Sequence, residues 1–455
     1  MATSPAPENA RANPARRPES LRIAWLIYRG NPHCGGQGVY TKYIAREAIE
    51  LGHHVEVLSG PPYPELDDPQ GLVKIPSLDL YPSGNPFRVP WPWEFRDAVD
   101  LGEFGLMCTG VFPEPWAFTL RARRWLQAHR ADFDLVHDNQ SFGSGLAGMM
   151  RDGWPVCATL HHPITVDRDL ELAHAKNSFQ RFNLRRWYAF LDMQMKVAAQ
   201  VPRLVTVSEN SRKDIISQMG MRDEQLRIVP VGVDQDVFRP LPHVARVPGR
   251  LLVTTSSDQP LKGLVPLLEA VAKVRTERNE VHLVVIGKPK DGSKIPALLE
   301  RLGLKDHVEF VSGVATERIV ELYAECDMAV VPSLYEGFSL PAIEAMSCAA
   351  PLVTTTGGAL PEVTGPSGGA ALTVPPNDPG ELATAIVTML DQPELRARLG
   401  ANGRARILDR FTWRKTAEGM IENWYETLEM HQAAADAVNA RPSGPPVWTS
   451  TPTGA

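Results

Sequence analysis

From Leu21 onward, short runs of β-branched and aliphatic residues alternate with longer amphipathic stretches, and this rhythm restricts the possible folds more than any other feature of the chain. A short apolar run bounded by turn residues and followed by a helical pattern reads as a parallel strand with its crossover helix. In the first half such runs fall at LRIAWLI (21–27), HVEVLS (54–59), LVHD (135–138), VCATLHH (156–162), LVTVSE (204–209) and RIVPVGV (227–233). The second half repeats the scheme with LLVTTSS (251–257), HLVVIGK (282–288), VEFVSG (308–313), MAVVPS (328–333), PLVTTT (351–356) and ALTVPP (371–376). Each half therefore holds one complete sheet. The fold class is α/β, two facing Rossmann-like domains with parallel sheets, and ligands are expected beyond the carboxyl ends of the strands, in the cleft between the domains.

Length supports the division, because 455 residues at 43% hydrophobic content can fill two cores of roughly 200 residues each. The expected organisation is a disordered extension over 1–19, a first domain over 20–236, a second over 237–414, a helix over 415–432 packing back on the first domain, and a disordered tail over 433–455. FRPLPHVARVPGR, from Phe238, lacks a periodic apolar face and suits a linker. The stretch 61–115 interrupts the rhythm with PPYPEL and VPWPWEF and reads as an irregular insertion placed to touch an acceptor.

Charge and cysteine usage exclude several classes. Forty-seven Lys and Arg against 53 Asp and Glu give a net charge of -6, which argues against nucleic acid as a partner. Cys34, Cys108, Cys157, Cys326 and Cys348 are scattered, without CxxC or Cys/His spacing, so neither a disulfide framework nor a zinc site is expected. The N-terminus has no apolar h-region and no run of 18 apolar residues occurs, so the expected location is the cytoplasm, with peripheral contact at the inner face of the membrane left open. FNLRRWYAFLDMQMKVAAQVP (182–202) sets Arg185, Arg186 and Lys196 among Trp187, Tyr188 and Phe190, which fits a core-packed helix and also allows membrane-surface contact.

The chemistry concentrates in PSLYEGFSLPAIEAMSCAAPLVTTTGGALPEV, a strand end, a glycine loop and a helix start near Pro341. Gly337 lets the loop approach a ligand, Pro341 suits the first helical turn, and Ser339 is expected to cap neighbouring amides. The free N–H groups of Phe338, Ser339 and Leu340, with the helix dipole behind them, form an anion site that could hold a diphosphate. Glu336 stands just before that site, and Glu344 is read as lying in the first turn beyond it, so two carboxylates could accept hydrogen bonds from sugar and ribose hydroxyls. In the first domain NPHCGGQGVY joins a strand to a helix expected near Val39, and Gly35, Gly36 and Gly38 would let the backbone lie close to a phosphate or sugar. The spacing is GGxG rather than GxGxxG, and Glu56 sits inside a strand, so a nicotinamide site fits poorly.

A Glu, seven residues and a second Glu within PSLYEGFSLPAIEA resemble the signature of the retaining GT-B glycosyltransferases of family 4, glycosyl transferases group 1. The likeness extends over nearly the whole ordered chain, through the VGVD junction to the FTWRKTAEGMIENWYE helix. It implies a hexosyltransferase that uses a GDP- or UDP-sugar, a saccharide or glycolipid acceptor, no cofactor and no essential metal, and that retains anomeric configuration. By the same resemblance Glu336 contacts donor sugar hydroxyls and Glu344 the ribose, the amides of Gly337 to Leu340 hold phosphate, and Lys262 in PLKG faces the diphosphate. Gly36 borders the donor and acceptor pockets, and His161 stands near the reacting sugar, whereas His137 is read as structural. The chain departs from the family at Ser256 and Ser257, where an arginine is usual, and at Asn139, where many relatives complete an HxH. Ser208 and Glu209 match the family's strand end, with Asp234 near the hinge, and read equally as a helix cap and a turn. LIYRGNPHCGGQGVY and SGPPYPEL resemble bacterial transferases of mannosyl or glucosyl polysaccharides, which favours mannose or glucose. Two other readings stay open: a non-catalytic GT-B glycan-binding or regulatory protein, and a nucleotide-sugar-processing enzyme of the same architecture.

Overall fold

A computed structural model describes residues 17–31, 36–82, 85, 87–255, 259–290 and 292–439. Residues 1–16 of the expected extension, the tail beyond 439, Cys34, Gly35, Ser256 and Ser257 lie outside the described residues.

The first domain is a seven-stranded parallel sheet, β1 (Arg22–Ile27), β2 (His54–Ser59), β3 (Leu72–Lys74), β4 (Leu135–Asn139), β5 (Val156–Thr159), β6 (Arg203–Thr206) and β7 (Leu226–Ile228), in the order β3-β2-β1-β4-β5-β6-β7. The second is a six-stranded sheet, β8 (Arg250–Thr254), β9 (His282–Ile286), β10 (Val308–Val311), β11 (Met328–Val331), β12 (Leu352–Thr355) and β13 (Leu372–Val374), in the order β10-β9-β8-β11-β12-β13. Both are doubly wound. β4, β5, β6, β11 and β12 are buried from end to end, as parallel strands covered by helices on both faces are expected to be. β3, inside the proline-rich insertion, was not expected, because three residues are too few to show a period.

The order reverses between β1 and β4 in one domain and between β8 and β11 in the other. Loops leaving adjacent strands at such a reversal run to opposite faces of the sheet and open a crevice beyond the strand ends. The loops after β1 and β4 thus sit side by side, and those after β8 and β11 face them.

The chain crosses between the domains twice, along neighbouring paths. Val233 N–H donates to the Phe411 carbonyl at 2.8 Å, Val233 and Thr412 form a parallel bridge, and the Thr416 hydroxyl donates to the Pro230 carbonyl at 2.9 Å. After the second crossing the helix Trp413–Asn439 returns to the first domain and packs on the helix Gln37–Glu50. Trp424 is wholly buried there and donates its indole N–H to His137 Nδ1 at 3.0 Å. The helix runs past 432, and Arg17, within the 1–19 extension, pairs with its Glu422 and Glu429 at 2.7 and 2.8 Å. Among the described residues no helix is long and apolar enough to cross a membrane.

Candidate active site

In the second domain the tight turn Pro260–Lys262 follows β8, and Leu261 accepts a hydrogen bond from Leu334 N–H of the β11 loop at 2.7 Å, so the two loops are knitted together. Gly263 closes the turn at φ 70°, and a Cβ there would lie 1.9 Å from the Pro332 carbonyl oxygen. No side chain fits that approach. Lys262 Nζ consequently stands 3.0 Å from both carboxylate oxygens of Glu336, whose Oε1 also accepts from the Ser333 hydroxyl at 2.7 Å. Glu336 is 7% exposed, and Lys262, half-buried, is its only cationic partner among the described residues.

The loop from Glu336 to Ser339 is supported by Gly357 to Ala359, whose Ala359 N–H donates to the Glu336 carbonyl at 2.9 Å. Among the described residues no acceptor takes the N–H groups of Gly337, Phe338, Ser339 or Leu340, which begin the helix Leu340–Ser347. Unpaired amides at a helix start are the elements of an anion site. Ser339 corrects the expectation of a side-chain cap. Its backbone is left-handed, at φ 98° and ψ 87°, and the residue is 4% exposed, its hydroxyl buried with no hydrogen-bond partner among the described residues. That conformation turns the side chain away from the amides it would have capped, and it is a strained one for a residue with a Cβ. Glu344 stands one turn further along than expected, with no acidic residue in the first turn. Its half-buried carboxyl lines the cleft without a hydrogen bond or cation among the described residues, and burial pushes its pKa up to about 8.

In the first domain Gly36 takes φ 74° at the start of the helix Gln37–Glu50, and a Cβ on Gly38 would lie 2.4 Å from the Gly30 carbonyl oxygen, so the glycines permit the tight fold of this loop. His161 follows β5. Its Nε2 donates to Asn139 Oδ1 at 2.8 Å, its backbone N–H donates to Gln140 Oε1 at 2.8 Å, and the ring meets Tyr40 edge-on at 4.7 Å. Burial, and secondarily the neighbouring His162, lower its pKa to about 3, so the imidazole is neutral at ordinary pH. Asn139 fills the place of the second histidine of an HxH and steadies His161 in one tautomer, and its own amide donates to Thr41 Oγ1 at 3.3 Å. His137 is fully buried, stacked on Trp25 at 4.2 Å, with Nε2 on Thr159 at 2.8 Å. It is a structural group away from the cleft.

The two domains enclose a cleft of about 1410 Å³. Gly36, His161 and His162 line one wall and Lys262, Glu336, Gly337, Phe338, Leu340 and Glu344 the other, while Ser339 lies behind the surface. Most of the residues singled out from sequence therefore converge. What sequence reasoning missed is the contact between the walls. Gly337 carbonyl accepts from the Ser208 hydroxyl at 2.6 Å and the Ser211 hydroxyl at 3.0 Å. Glu362 takes the first amides of the helix Glu209–Met219, from Glu209 and Asn210, at 2.7 and 2.8 Å. Tyr335 hydroxyl donates to Asp214 and accepts from Asn210 Nδ2 at 3.0 Å. Ser208 was legible as a cap, which it is through Ser211 N–H at 2.9 Å, but a partner in another domain leaves no local signal.

Residues 34–237 match the Glycosyltransferase Family 4 family and residues 243–406 the Glycosyl transferases group 1 family. The chain is 47% identical to the MMP alpha-(1->4)-mannosyltransferase of Mycolicibacterium hassiacum over 87% of this chain and 96% of that protein. It is 28% identical to a D-inositol 3-phosphate glycosyltransferase of Catenulispora acidiphila over 90% of this chain and 94% of that one. Among solved structures, sucrose-phosphate synthase of Thermosynechococcus elongatus aligns with a TM-score of 0.64 at 21% identity, covering 92% of this chain and 100% of that one. Anabaena HepE in complex with UDP and glucose aligns with a TM-score of 0.61 at 19% identity, covering 92% and 100%. Both share the two-domain fold.

Proposed function

This chain belongs to the glycosyltransferases of family 4 and group 1, and from that membership we propose that it moves mannose, or failing that glucose, from a nucleoside diphosphate sugar to a saccharide or glycolipid hydroxyl with retained anomeric configuration. The observation that carries the reading is the pairing of Glu336 with Lys262 at the mouth of a row of unbonded amides. A fixed ammonium and free N–H groups are suited to a diphosphate, while Glu336 and Glu344 offer acceptors to hydroxyls of the sugar and ribose.

In this proposal the diphosphate lies against Lys262 and the amides of Gly337 to Leu340, which stabilise negative charge as the bond from the anomeric carbon to the phosphate oxygen breaks. The nucleoside diphosphate leaves with the electron pair. The acceptor hydroxyl attacks from the face just vacated, and its proton passes to the departing phosphate oxygen. Glu336 positions the sugar and stabilises positive charge on its ring, and it forms no bond to carbon. His161, neutral and held by Asn139, offers a hydrogen bond to the transferred sugar. Lys262 and the amides would take the role that a divalent cation plays elsewhere, so the proposed reaction needs neither metal nor cofactor.

The relative's name favours mannose, and GDP and UDP are the two donor nucleotides to distinguish. A thermal-shift screen of GDP- and UDP-sugars, followed by turnover of the hit and NMR of the product's anomeric carbon, tests the proposal. Stabilisation by one donor and an α-linked product are expected. A chain that no nucleotide sugar stabilises, and that turns none over, would not be the transferase proposed. An inverted product would overturn the stereochemistry alone.

A further inference from the structure

All five exposed phenylalanine and tryptophan side chains among the described residues fall in two short segments of the first domain, Phe87, Trp91 and Trp93 in one and Phe179 and Phe182 in the other. A soluble domain ordinarily scatters such side chains, and a concentration of them marks a surface that meets something apolar. The segments adjoin. Phe87 packs against Trp187 of the helix Ser178–Trp187 with ring centroids 6.0 Å apart, and Arg186 of that helix donates to the Thr109 carbonyl near the end of the insertion. Trp91 and Trp93 stack on each other at 5.1 Å and stay 63% and 74% exposed. Their backbone is anchored, with Trp91 N–H donating to Glu94 at 2.6 Å and Glu94 ion-paired to Arg88 at 2.6 Å, so the indoles are presented by a rigid turn.

Charge identifies the occupant. Between Glu171 and Asp192 the chain carries Lys176, Arg181, Arg185 and Arg186 and no acidic residue, in a protein of net charge -6. The helix Ser178–Trp187 buries none of its residues, and Phe179 and Phe182, one turn apart, share a side with exposed arginines around them. A neutral glycan gains nothing from such a cluster, and a second copy would set like charges face to face. Aromatic and basic residues together on a surface helix are the composition of an interfacial anchor, whose rings enter the headgroup region while guanidinium groups meet anionic lipid.

We propose that Trp91, Trp93, Phe179 and Phe182, with Lys176, Arg181 and Arg185, form a docking surface for an anionic lipid bilayer. The inference goes beyond the transfer reaction and stands independently of it. The full chain is sedimented with vesicles of phosphatidylglycerol and, separately, of phosphatidylcholine. Binding to the first alone is expected, weakened by salt. Trp91→Ser with Trp93→Ser should abolish most of it, and Arg181→Gln with Arg185→Gln should weaken it roughly thirtyfold. These side chains are exposed, so unchanged circular dichroism and melting temperature show that each variant folds. Equal binding to both vesicles, binding to neither, or a chain dimer that the tryptophan substitutions dissolve would overturn the proposal. So would oligosaccharide binding lost with the tryptophans and indifferent to the arginines.

Discussion

The hydroxyl of Ser208, in the first domain, donates to the carbonyl of Gly337, in the second, at 2.6 Å. In a trans peptide the carbonyl and the following N–H point in opposite directions, so gripping Gly337 oxygen aims the Phe338 amide. Ser211 adds a second grip at 3.0 Å. Ser208→Ala with Ser211→Ala is expected to raise the KM for the nucleotide sugar about tenfold, the net worth of two hydrogen bonds, with a smaller effect on kcat. Ser208→Thr, which keeps the cap and the hydroxyl, should restore it. Steady-state kinetics checks the split between KM and kcat, which a purely structural defect would not produce.

Replacing the carboxylate that faces Lys262 tests the centre of the site. Glu336→Gln keeps the shape and the hydrogen bond from Ser333 but removes the negative charge between Lys262 and the sugar. Turnover should fall on the order of a hundredfold or more, as when one preorganised electrostatic group is lost, while the melting temperature changes little by comparison. An unchanged kcat would remove Glu336 from the mechanism.

Glu344 makes a prediction about pH. Its carboxyl is raised from 4.5 to about 8 by burial, so the folded chain holds a proton that the unfolded chain has released. The sign follows: this contribution to stability is complete below about 4.5 and is lost as pH rises through about 8. Glu114, raised to about 8 by burial, contributes in the same direction. Glu344→Gln should therefore flatten part of the decline in melting temperature between pH 5 and 8, and Glu114→Gln another part, measured by calorimetry across that window. Identical pH slopes for Glu344→Gln and the parent would contradict a proton held on Glu344 across that window.

Gly263 sets the position of Lys262. Gly263→Ala would drive a methyl into the Pro332 carbonyl at a backbone angle of φ 70°. A loss of about 1–3 kcal/mol in urea unfolding is expected, together with weaker donor binding because the turn carrying Lys262 must shift.

His161 is held neutral, near pKa 3, beside Asn139 rather than a carboxylate. Asn139→Asp should raise that pKa toward neutrality and introduce an ionisation on the acid limb of the kcat/KM profile that the parent lacks. NMR titration of the imidazole checks it directly.

Much of this architecture was legible because burial on both faces makes parallel strands nearly continuous apolar runs, as in Leu251 to Val253 and Met328 to Val331. Once the strands are placed, the reversal of sheet order brings Lys262 and Glu336 together without further information. β3 was not legible, since Leu72–Lys74 lies among prolines and is too short to show alternation. The cap expected from Ser339 failed because its backbone is left-handed, a conformation that sequence does not announce for a residue with a Cβ. Ser208 and Gly337 are 129 residues apart, and nothing local to either marks the other as its partner.

The two chain crossings, at Val233 and at Phe411 to Thr412, run alongside one another and are hydrogen-bonded together. A single tether would let the lobes twist, slide and splay. Paired tethers behave like the pins of a door, leaving one inexpensive swing about the line that joins them and resisting the rest. A swing about that line would carry Gly337 away from Ser208 and Ser211 along a fixed arc, so that each return would bring the same atoms back into register.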